Sequence, residues 1–193
     1  MLISGKPLKH GASTSPSLSP QQIRAALRDL ARTAEQQVMG VTMASMDELT
    51  LLSNRHGFTA LAQLGLDACQ RLEIPATLVF FDLDNFKHIN YLYGRAEGDD
   101  ALKTFADVLR IAFRESDVIG RLGDDEFVAL LTGSSAVDLG AIRMRLEEIL
   151  DERNATMRRG YVIRFSMGQV EYDPGRHGVV EEMLLEVERC SLT

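Results

Sequence analysis

The chain of 193 residues is predicted to fold as an α+β domain, in which helices flank a mostly antiparallel central sheet. Residues 76–83 form a nearly unbroken apolar run of strand length, which is typical of a central strand buried on both faces. Residues 118–122 and 126–131 are two apolar runs separated by a tight turn, which predicts a hairpin. The helical segments do not alternate strictly with these strands, and this order favours α+β over a parallel α/β sheet.

The composition predicts a folded protein with an acidic surface. Hydrophobic residues make up 45% of the chain, charged residues make up 25%, and the net charge is −7. This charge argues against non-specific binding to nucleic acid or to an anionic membrane, and a polyanionic substrate would need a bridging metal ion. No apolar run is long enough to span a bilayer, and no signal peptide is visible, so we expect a cytoplasmic protein.

The N-terminal residues are predicted to form a tail and a helix. Residues 1–18 are rich in Ser, Pro, Gly and Lys, and we expect them to be flexible. Residues 19–46 are expected to form a helix, because Ser19 can act as the N-cap and Pro20 suits the first helical position. The apolar seam of this helix suits either packing on its own domain or dimerisation, and both remain open. The main domain is predicted to span residues 47–193.

The remaining elements follow from apolar periodicity. Helices are predicted at 86–93, 98–114 and 135–152, and from about Val180 to the end, with a further strand at 161–172. A helix before the 76–83 strand is predicted to bury one face, consisting of Phe58, Leu61, Leu64, Ala68, Cys69 and Leu72.

Acidic residues stand at the ends of two predicted strands. Because residues alternate between the faces of a strand, we expect only one of Asp82 and Asp84 to point at a given site. Gly123 and Asp124 are expected to form a two-residue turn, since both residue types tolerate positive φ. If the hairpin neighbours the first strand, Asp82 and Asp125 can share a hard cation such as Mg²⁺. Taken alone, either aspartate of the first strand could equally be a solvated strand end or a helix cap.

Four motifs in this order resemble the GGDEF domain, the catalytic module of diguanylate cyclases, which join two GTP molecules into cyclic di-GMP. Residues 47–55 resemble D-x-L-T-G-L-x-N-R, and residues 82–90 resemble D-x-D-x-F-K-x-x-N. Residues 94–99 resemble G-H-x-x-G-D, and residues 123–127, written G-D-D-E-F, resemble the signature itself. The chain departs from the pattern at Leu51 and Asp124, where the family has glycine, and at Arg95, where it has histidine.

The resemblance implies a metal site and a catalytic set. Asp82, the carbonyl of Leu83 and Asp125 would hold Mg²⁺ or Mn²⁺. Asp125 would also be the base for the attacking 3′-hydroxyl, and Glu126 and Lys87 complete the implied catalytic residues. The reaction is a phosphoryl transfer, in which catalysis is mostly positioning and charge neutralisation.

The resemblance also implies two nucleotide-binding regions. Asn90 and Asp99 would read the guanine edge. The full set of implied substrate-binding residues is Asn90, Asp99, Arg95, Phe86, Gly123 and Asp124. Arg114 and Asp117 match the family's R-x-x-D inhibitory site, five residues before the signature, and would bind the product cyclic di-GMP. The alternative for Arg114 is a favourable interaction with a helix C-terminus.

Two departures from the pattern lead to two candidate functions. Asp124 adds a negative charge beside a polyphosphate, and the chain ends at Thr193, before the C-terminal lysine and arginine with which the family clasps the triphosphate. The first candidate is therefore a diguanylate cyclase with weakened activity. The alternative is a degenerate, non-catalytic GGDEF module that binds cyclic di-GMP or GTP and acts through protein partners. Since two GTP-loaded domains must face each other, we expect a homodimer through helix 19–46, with input from an upstream sensor protein.

Overall fold

The computed structural model describes residues 44–133 and 139–191. The predicted tail at 1–18 lies outside these ranges. So does the predicted helix at 19–46, except for its last three residues.

Within these described ranges, the sheet has four antiparallel strands in the order β2-β3-β1-β4. Their bounds are β1 Ala76–Leu83, β2 Val118–Arg121, β3 Glu126–Thr132 and β4 Phe165–Glu171. The predicted hairpin is β2 and β3, and the predicted central strand is β1, which pairs with β3 on one side and with β4 on the other. The predicted strand at 161–172 is shorter than expected, because regular pairing begins only at Phe165.

The described residues contain five α-helices: α1 Arg55–Leu72, α2 Phe86–Tyr93, α3 Arg95–Ala112, α4 Leu139–Met157 and α5 Val180–Ser191. These helices and the antiparallel sheet confirm the predicted α+β class. Helix α3 begins earlier than predicted, because Gly94 alone, at φ +90°, separates it from α2. Of the helices in the described ranges, none is both long enough and apolar enough to cross a lipid bilayer.

The two faces of the sheet are buried under different helices. Phe81 and Leu83 of β1 pack in a core with α3 and α4, and the Phe81 ring lies 6.0 Å from the ring of Phe105. Leu78 and Phe80 pack in a second core with α1 and α5. Since side chains alternate along a strand, this pattern places Asp82 on the α1 and α5 side of the sheet.

The buried face of α1 differs from the prediction. Leu61, Leu64 and Leu72 are 49%, 66% and 67% exposed. The helix buries a second set, Phe58, Ala62, Leu66 and Cys69, of which Phe58 and Cys69 were predicted. Steps of four, four and three residues keep this second set on one face of a helix. The prediction is confirmed for Phe58 and Cys69 and wrong for the three leucines, because it preferred Leu61 and Leu64 to Ala62.

Candidate active site

The turn of the hairpin lies beside the end of β1. Asp82 is paired with Glu126 across the two strands. One step further, the Leu83 N–H donates a hydrogen bond to the Asp125 carbonyl at 3.1 Å. The main-chain ladder thus continues past the first residue of β3. The signature turn and the end of β1, some forty residues apart in sequence, are therefore joined directly.

A cavity of about 470 Å³ opens at this end of the sheet. Of the residues expected at the site, five line it: Asp82, Leu83, Asp125, Phe86 and Lys87. The other lining residues are Phe80, Asp84, Asn85, Ser166 and Met167. The remaining expected residues are not part of the lining: Glu126, Asn90, Asp99, Arg95, Gly123 and Asp124.

Asp82 and Asp84 both line this cavity, so the expectation that only one of them would point at a given site is wrong. Residues two apart along a strand share a face, and the residue between them, Leu83, is buried in the core. The Asp84 N–H donates to the Arg164 carbonyl at 2.9 Å, which extends the pairing of β1 with β4. The Ser166 hydroxyl donates to Asp84 Oδ1 at 2.8 Å.

The cavity concentrates negative charge around Asp82. Burial raises the pKa of Asp82, and the neighbouring carboxylates of Asp125 and Asp84 raise it further, while Lys87 opposes them. A cation bound beside these groups would favour the ionised form of Asp82.

The oxygen donors suit a Mg²⁺ or Mn²⁺ ion that a substrate helps to bind. Within the part of the chain that the structure describes, no three side chains of the His, Cys, Asp and Glu types form a complete metal site. Two carboxylates and a main-chain carbonyl suit Mg²⁺ nevertheless, because this ion usually keeps waters and takes further oxygens from substrate phosphates. The residues present therefore fit such an ion.

The signature turn has a different backbone from the predicted one. Strand β2 ends at Arg121 and β3 begins at Glu126, and the Leu122 N–H donates to the Glu126 carbonyl at 2.9 Å. Asp125 therefore belongs to the turn and not to the strand. Neither Gly123 nor Asp124 has positive φ, which corrects the expected two-residue turn. Asp124 therefore occupies its position without the strain that a left-handed backbone imposes on side chains.

Glu126 shares a sheet face with Asp82 but points along the turn. Its Oε2 lies 3.8 Å from the Arg55 guanidinium. It also approaches Gly123, where an added Cβ would lie 2.6 Å from Glu126 Oε2. The missing side chain of Gly123 thus leaves room for Glu126. Glu126 lies beside the cavity and does not line it, and its supporting role stays a prediction.

The N-terminus of α2 faces the cavity. Asn85 precedes the helix in the left-handed conformation, at φ 57°. Phe86 and Lys87, the first two residues of α2, both line the cavity. The first N–H groups of a helix have no partner within the helix, so this position favours an anion such as a phosphate.

Asn90 lies where α2 and α3 pack together, against Gly98. An added Cβ at Gly98 would lie 2.0 Å from Asn90 Oδ1, so only glycine allows the Asn90 side chain to lie against α3. Asp99 follows Gly98 directly, and it is half-buried like Asn90. Arg95 is exposed at the first position of α3.

Arg121 links the signature turn to the upstream turn at 47–54, and the sequence analysis did not identify it. Its NH1 lies 3.1 Å from each oxygen of Asp47, and its NH2 donates to the Asp124 carbonyl at 2.8 Å. Burial alone would raise the pKa of Asp47, but hydrogen bonds from Thr50 and the pairing with Arg121 lower it overall. A lone arginine at a strand end has no pattern that predicts such a link.

Arg114 and Asp117 close a turn between α3 and β2. The Arg114 N–H donates to Asp117 Oδ2 at 2.9 Å, and the Asp117 N–H donates to the Arg114 carbonyl at 3.0 Å. Both residues line a cavity of about 220 Å³ that also includes Arg145 of α4. Arg145 was missed because it is distant in sequence, and no local motif connects it with this turn.

The comparisons with known proteins agree with this geometry. The family model described as "Diguanylate cyclase, GGDEF domain" matches residues 44–190. The chain is 33% identical over 132 residues to the probable diguanylate cyclase DgcC of Escherichia coli K12, covering 68% of this chain and 36% of that protein. It is 36% identical over 121 residues to the diguanylate cyclase DgcS of Shewanella oneidensis, covering 62% of this chain and 40% of that protein. The chain thus spans less than half the length of these curated relatives.

A solved structure shows the same fold. The coiled coil and GGDEF domain of DgcB from Caulobacter crescentus, in complex with c-di-GMP, superposes with a TM-score of 0.73 at 22% identity. The match covers 88% of this chain and 90% of that one. Because the family model matches most of the chain, the chain belongs to the GGDEF domain family.

Proposed function

We propose that this domain is a diguanylate cyclase, which condenses two molecules of GTP into cyclic di-GMP and releases pyrophosphate. The observation that supports this proposal is the cavity that Asp82 and Asp125 share at the end of β1. The curated relatives named diguanylate cyclases support the same reaction.

The same geometry suggests how GTP binds. The N-terminus of α2, with Lys87, provides a positive end for the phosphates. In this proposal Asn90 and Asp99 recognise guanine, and their chemistry supports it, since a carboxylate accepts hydrogen bonds from the N–H groups of guanine and an amide both donates and accepts. Gly98 contributes by leaving space for Asn90.

In the proposed reaction, the 3′-oxygen of one GTP attacks the α-phosphorus of the other. The bond from this phosphorus to the bridging oxygen of the β-phosphate breaks, pyrophosphate leaves, and the hydroxyl proton passes to Asp125. A second, equivalent step closes the ring. Each domain would hold one GTP, so two copies of the chain must face each other as a homodimer.

The divalent cation, Mg²⁺ or Mn²⁺, would be held by Asp82, Asp125 and the Leu83 carbonyl. When bound, it supplies neutralisation of the charge on the phosphates. The protein groups orient the two nucleotides, and in phosphoryl transfer positioning accounts for much of the rate.

Asp124 is compatible with catalysis. It does not have positive φ, its carbonyl accepts a hydrogen bond from Arg121, and its side chain is exposed. The cost of this aspartate is therefore electrostatic and not conformational, which supports a weakened enzyme over an inactive one.

The second candidate is a non-catalytic module that binds cyclic di-GMP and acts through partners. The cavity of Arg114, Asp117 and Arg145 favours it, because two guanidinium groups and a carboxylate suit the phosphates and guanine edges of a cyclic dinucleotide. In the enzyme, the same cavity would be an inhibitory product site.

One experiment separates the two candidates. The purified full chain is incubated with GTP and Mg²⁺ or Mn²⁺, and the product is identified by mass spectrometry. The cyclase requires cyclic di-GMP from the wild type and its loss in Asp125→Ala, with Asp67→Ala on the exposed side of α1 as the matched control. If the wild type makes no product, but binds cyclic di-GMP in a calorimeter and loses this binding in Arg114→Ala, the binding module is the correct reading.

A further inference from the structure

We propose that Ser166 is a positioning residue of the nucleotide cavity, which fixes the carboxylate of Asp84 so that Asp82 and Asp125 remain the ligands of the cation. This inference rests on the function proposed above. It assigns a role to a strand residue that belongs to none of the four motifs.

The first observation is the pairing of β1 with β4. Asp82 is the register partner of Ser166, so their side chains leave the same face of the sheet. The hydrogen bond from the Asp84 N–H to the Arg164 carbonyl continues the same register by two residues. Ser166 therefore lies directly across from Asp82 and diagonally across from Asp84.

The second observation is where the hydroxyl hydrogen goes. A serine hydroxyl donates one hydrogen bond, and that of Ser166 is donated to Asp84 Oδ1 at 2.8 Å. A hydrogen bond to a carboxylate is stronger than one between neutral groups. Although Ser166 has the carboxylate of Asp82 directly across the strand pair, its donor is used on the diagonal aspartate.

The third observation is the charge in the cavity. Asp82, Asp84 and Asp125 all line it, and Lys87 is the one basic side chain among the lining residues. A polyphosphate that enters must pass these carboxylates. The Ser166 hydroxyl holds the Asp84 carboxylate against β4. One of the three negative charges is thereby kept at the side of the cavity, away from the entering phosphates.

Loss of the hydroxyl is therefore expected to affect two ligands differently. In Ser166→Ala, the Asp84 carboxylate is free to turn into the cavity, which adds mobile negative charge. Binding of a nucleotide should weaken by about 3- to 10-fold, the size expected for the net contribution of one ordinary, exposed hydrogen bond. Binding of Mn²⁺ alone should stay the same or become tighter, since a third carboxylate becomes available to it.

The experiment measures both ligands on the full chain by calorimetry. The nucleotide probe is α,β-methylene GTP with Mg²⁺, in which the bond that the reaction breaks is replaced, and the cation probe is Mn²⁺ alone. The variants are Ser166→Ala, Ser166→Thr, Asp84→Ala and the double variant Ser166→Ala with Asp84→Ala. Thr156→Ala, which removes a hydroxyl bonded to a main-chain carbonyl of α4, is the matched control.

The proposal requires that Ser166→Thr binds the nucleotide like the wild type. It also requires that adding Ser166→Ala to Asp84→Ala changes nucleotide affinity less than twofold. It is overturned if Ser166→Ala binds both probes like the wild type, if it weakens both probes together, or if it costs the same with and without Asp84. If the wild type binds neither probe, the proposed function fails and takes this inference with it. If the wild type binds both probes and Ser166→Ala leaves both affinities unchanged, only this inference fails.

Discussion

Two turns of this protein place a larger residue where the family has glycine, and they differ in backbone conformation. Leu51, in the upstream turn, has φ 57° and a side chain that is 62% exposed. Asp124, in the signature turn, is not in the left-handed region. A larger residue in place of glycine therefore strains a turn only where φ is positive, and the family's preference for glycine does not by itself indicate strain.

The same guanidinium reaches both turns. Arg121 pairs with Asp47 in the upstream turn and donates to the Asp124 carbonyl in the signature turn. The difference in φ between Leu51 and Asp124 therefore arises from the hydrogen bonds within each turn. In the upstream turn, the Leu51 N–H donates to the Asp47 carbonyl and the Asp47 N–H donates to the Leu52 carbonyl, both at 2.8 Å. This tight loop imposes the left-handed conformation at Leu51.

The largest expected effect on stability comes from replacing Arg121, which contacts both turns. Arg121→Met should lower the free energy of unfolding by about 2–4 kcal/mol, because Asp47 would keep its partly buried charge without its ion pair. Urea unfolding followed by circular dichroism measures this, with Arg153→Met on the exposed side of α4 as the control. A loss below about 0.5 kcal/mol would show that the two turns do not depend on Arg121.

The second effect depends on pH. The pKa of Asp47 is lower in the folded protein than its usual value of 3.8, so its ionised form stabilises the fold above that value. Asp47→Asn should therefore cost about 1–2 kcal/mol at pH 7. The difference between wild type and variant should shrink as the pH falls below about 4, through the lowered pKa of the folded state. Urea unfolding between pH 7 and pH 3 tests this, and a difference that stays constant over that range would contradict it.

The third effect has the opposite sign. Leu51→Gly should raise the free energy of unfolding by about 1 kcal/mol, since glycine adopts positive φ without steric cost. Leu64→Gly is the matched control, because it removes an equally exposed leucine from a regular helix and should cost about 1 kcal/mol. Thermal unfolding of both variants should show shifts in opposite directions. A destabilised Leu51→Gly would mean that the leucine side chain makes a contact that outweighs its strain.

The smallest effect on stability is expected at Asp124, the second position where the family has glycine. Asp124→Gly should change the free energy of unfolding by less than about 0.5 kcal/mol, because no strain is relieved there. If the proposed cyclase is correct, the same variant should raise the rate of cyclic di-GMP formation several-fold, since a negative charge beside the polyphosphate is removed. A stabilisation as large as that of Leu51→Gly would remove the distinction between the two turns.

Sequence reasoning was most successful where the pattern is local. The apolar run of β1 and the flanks of the hairpin predicted the sheet, because strand length and apolar content follow from neighbouring residues. It also raised the possibility that Asp82 and Asp125 share a cation if the hairpin neighbours β1; both residues line one cavity, and the shared cation stays a prediction. It was wrong on three leucines of α1 and on the orientation of Asp82 and Asp84. It was also wrong on φ at Gly123 and Asp124, because φ in a turn depends on the hydrogen bonds that the turn makes.

The residues alone therefore determined the α+β class, the hairpin, the family and the acidic residues that stand at the end of β1 and in the signature turn. These follow from short-range periodicity and from motifs that can be read in order along the chain. Only the tertiary structure showed that Arg121 connects two turns, that Arg145 joins Arg114 and Asp117, and that Ser166 holds Asp84. Each of these contacts joins residues that strand register and helix packing bring together across the fold, and such pairings leave no spacing to be recognised in the sequence.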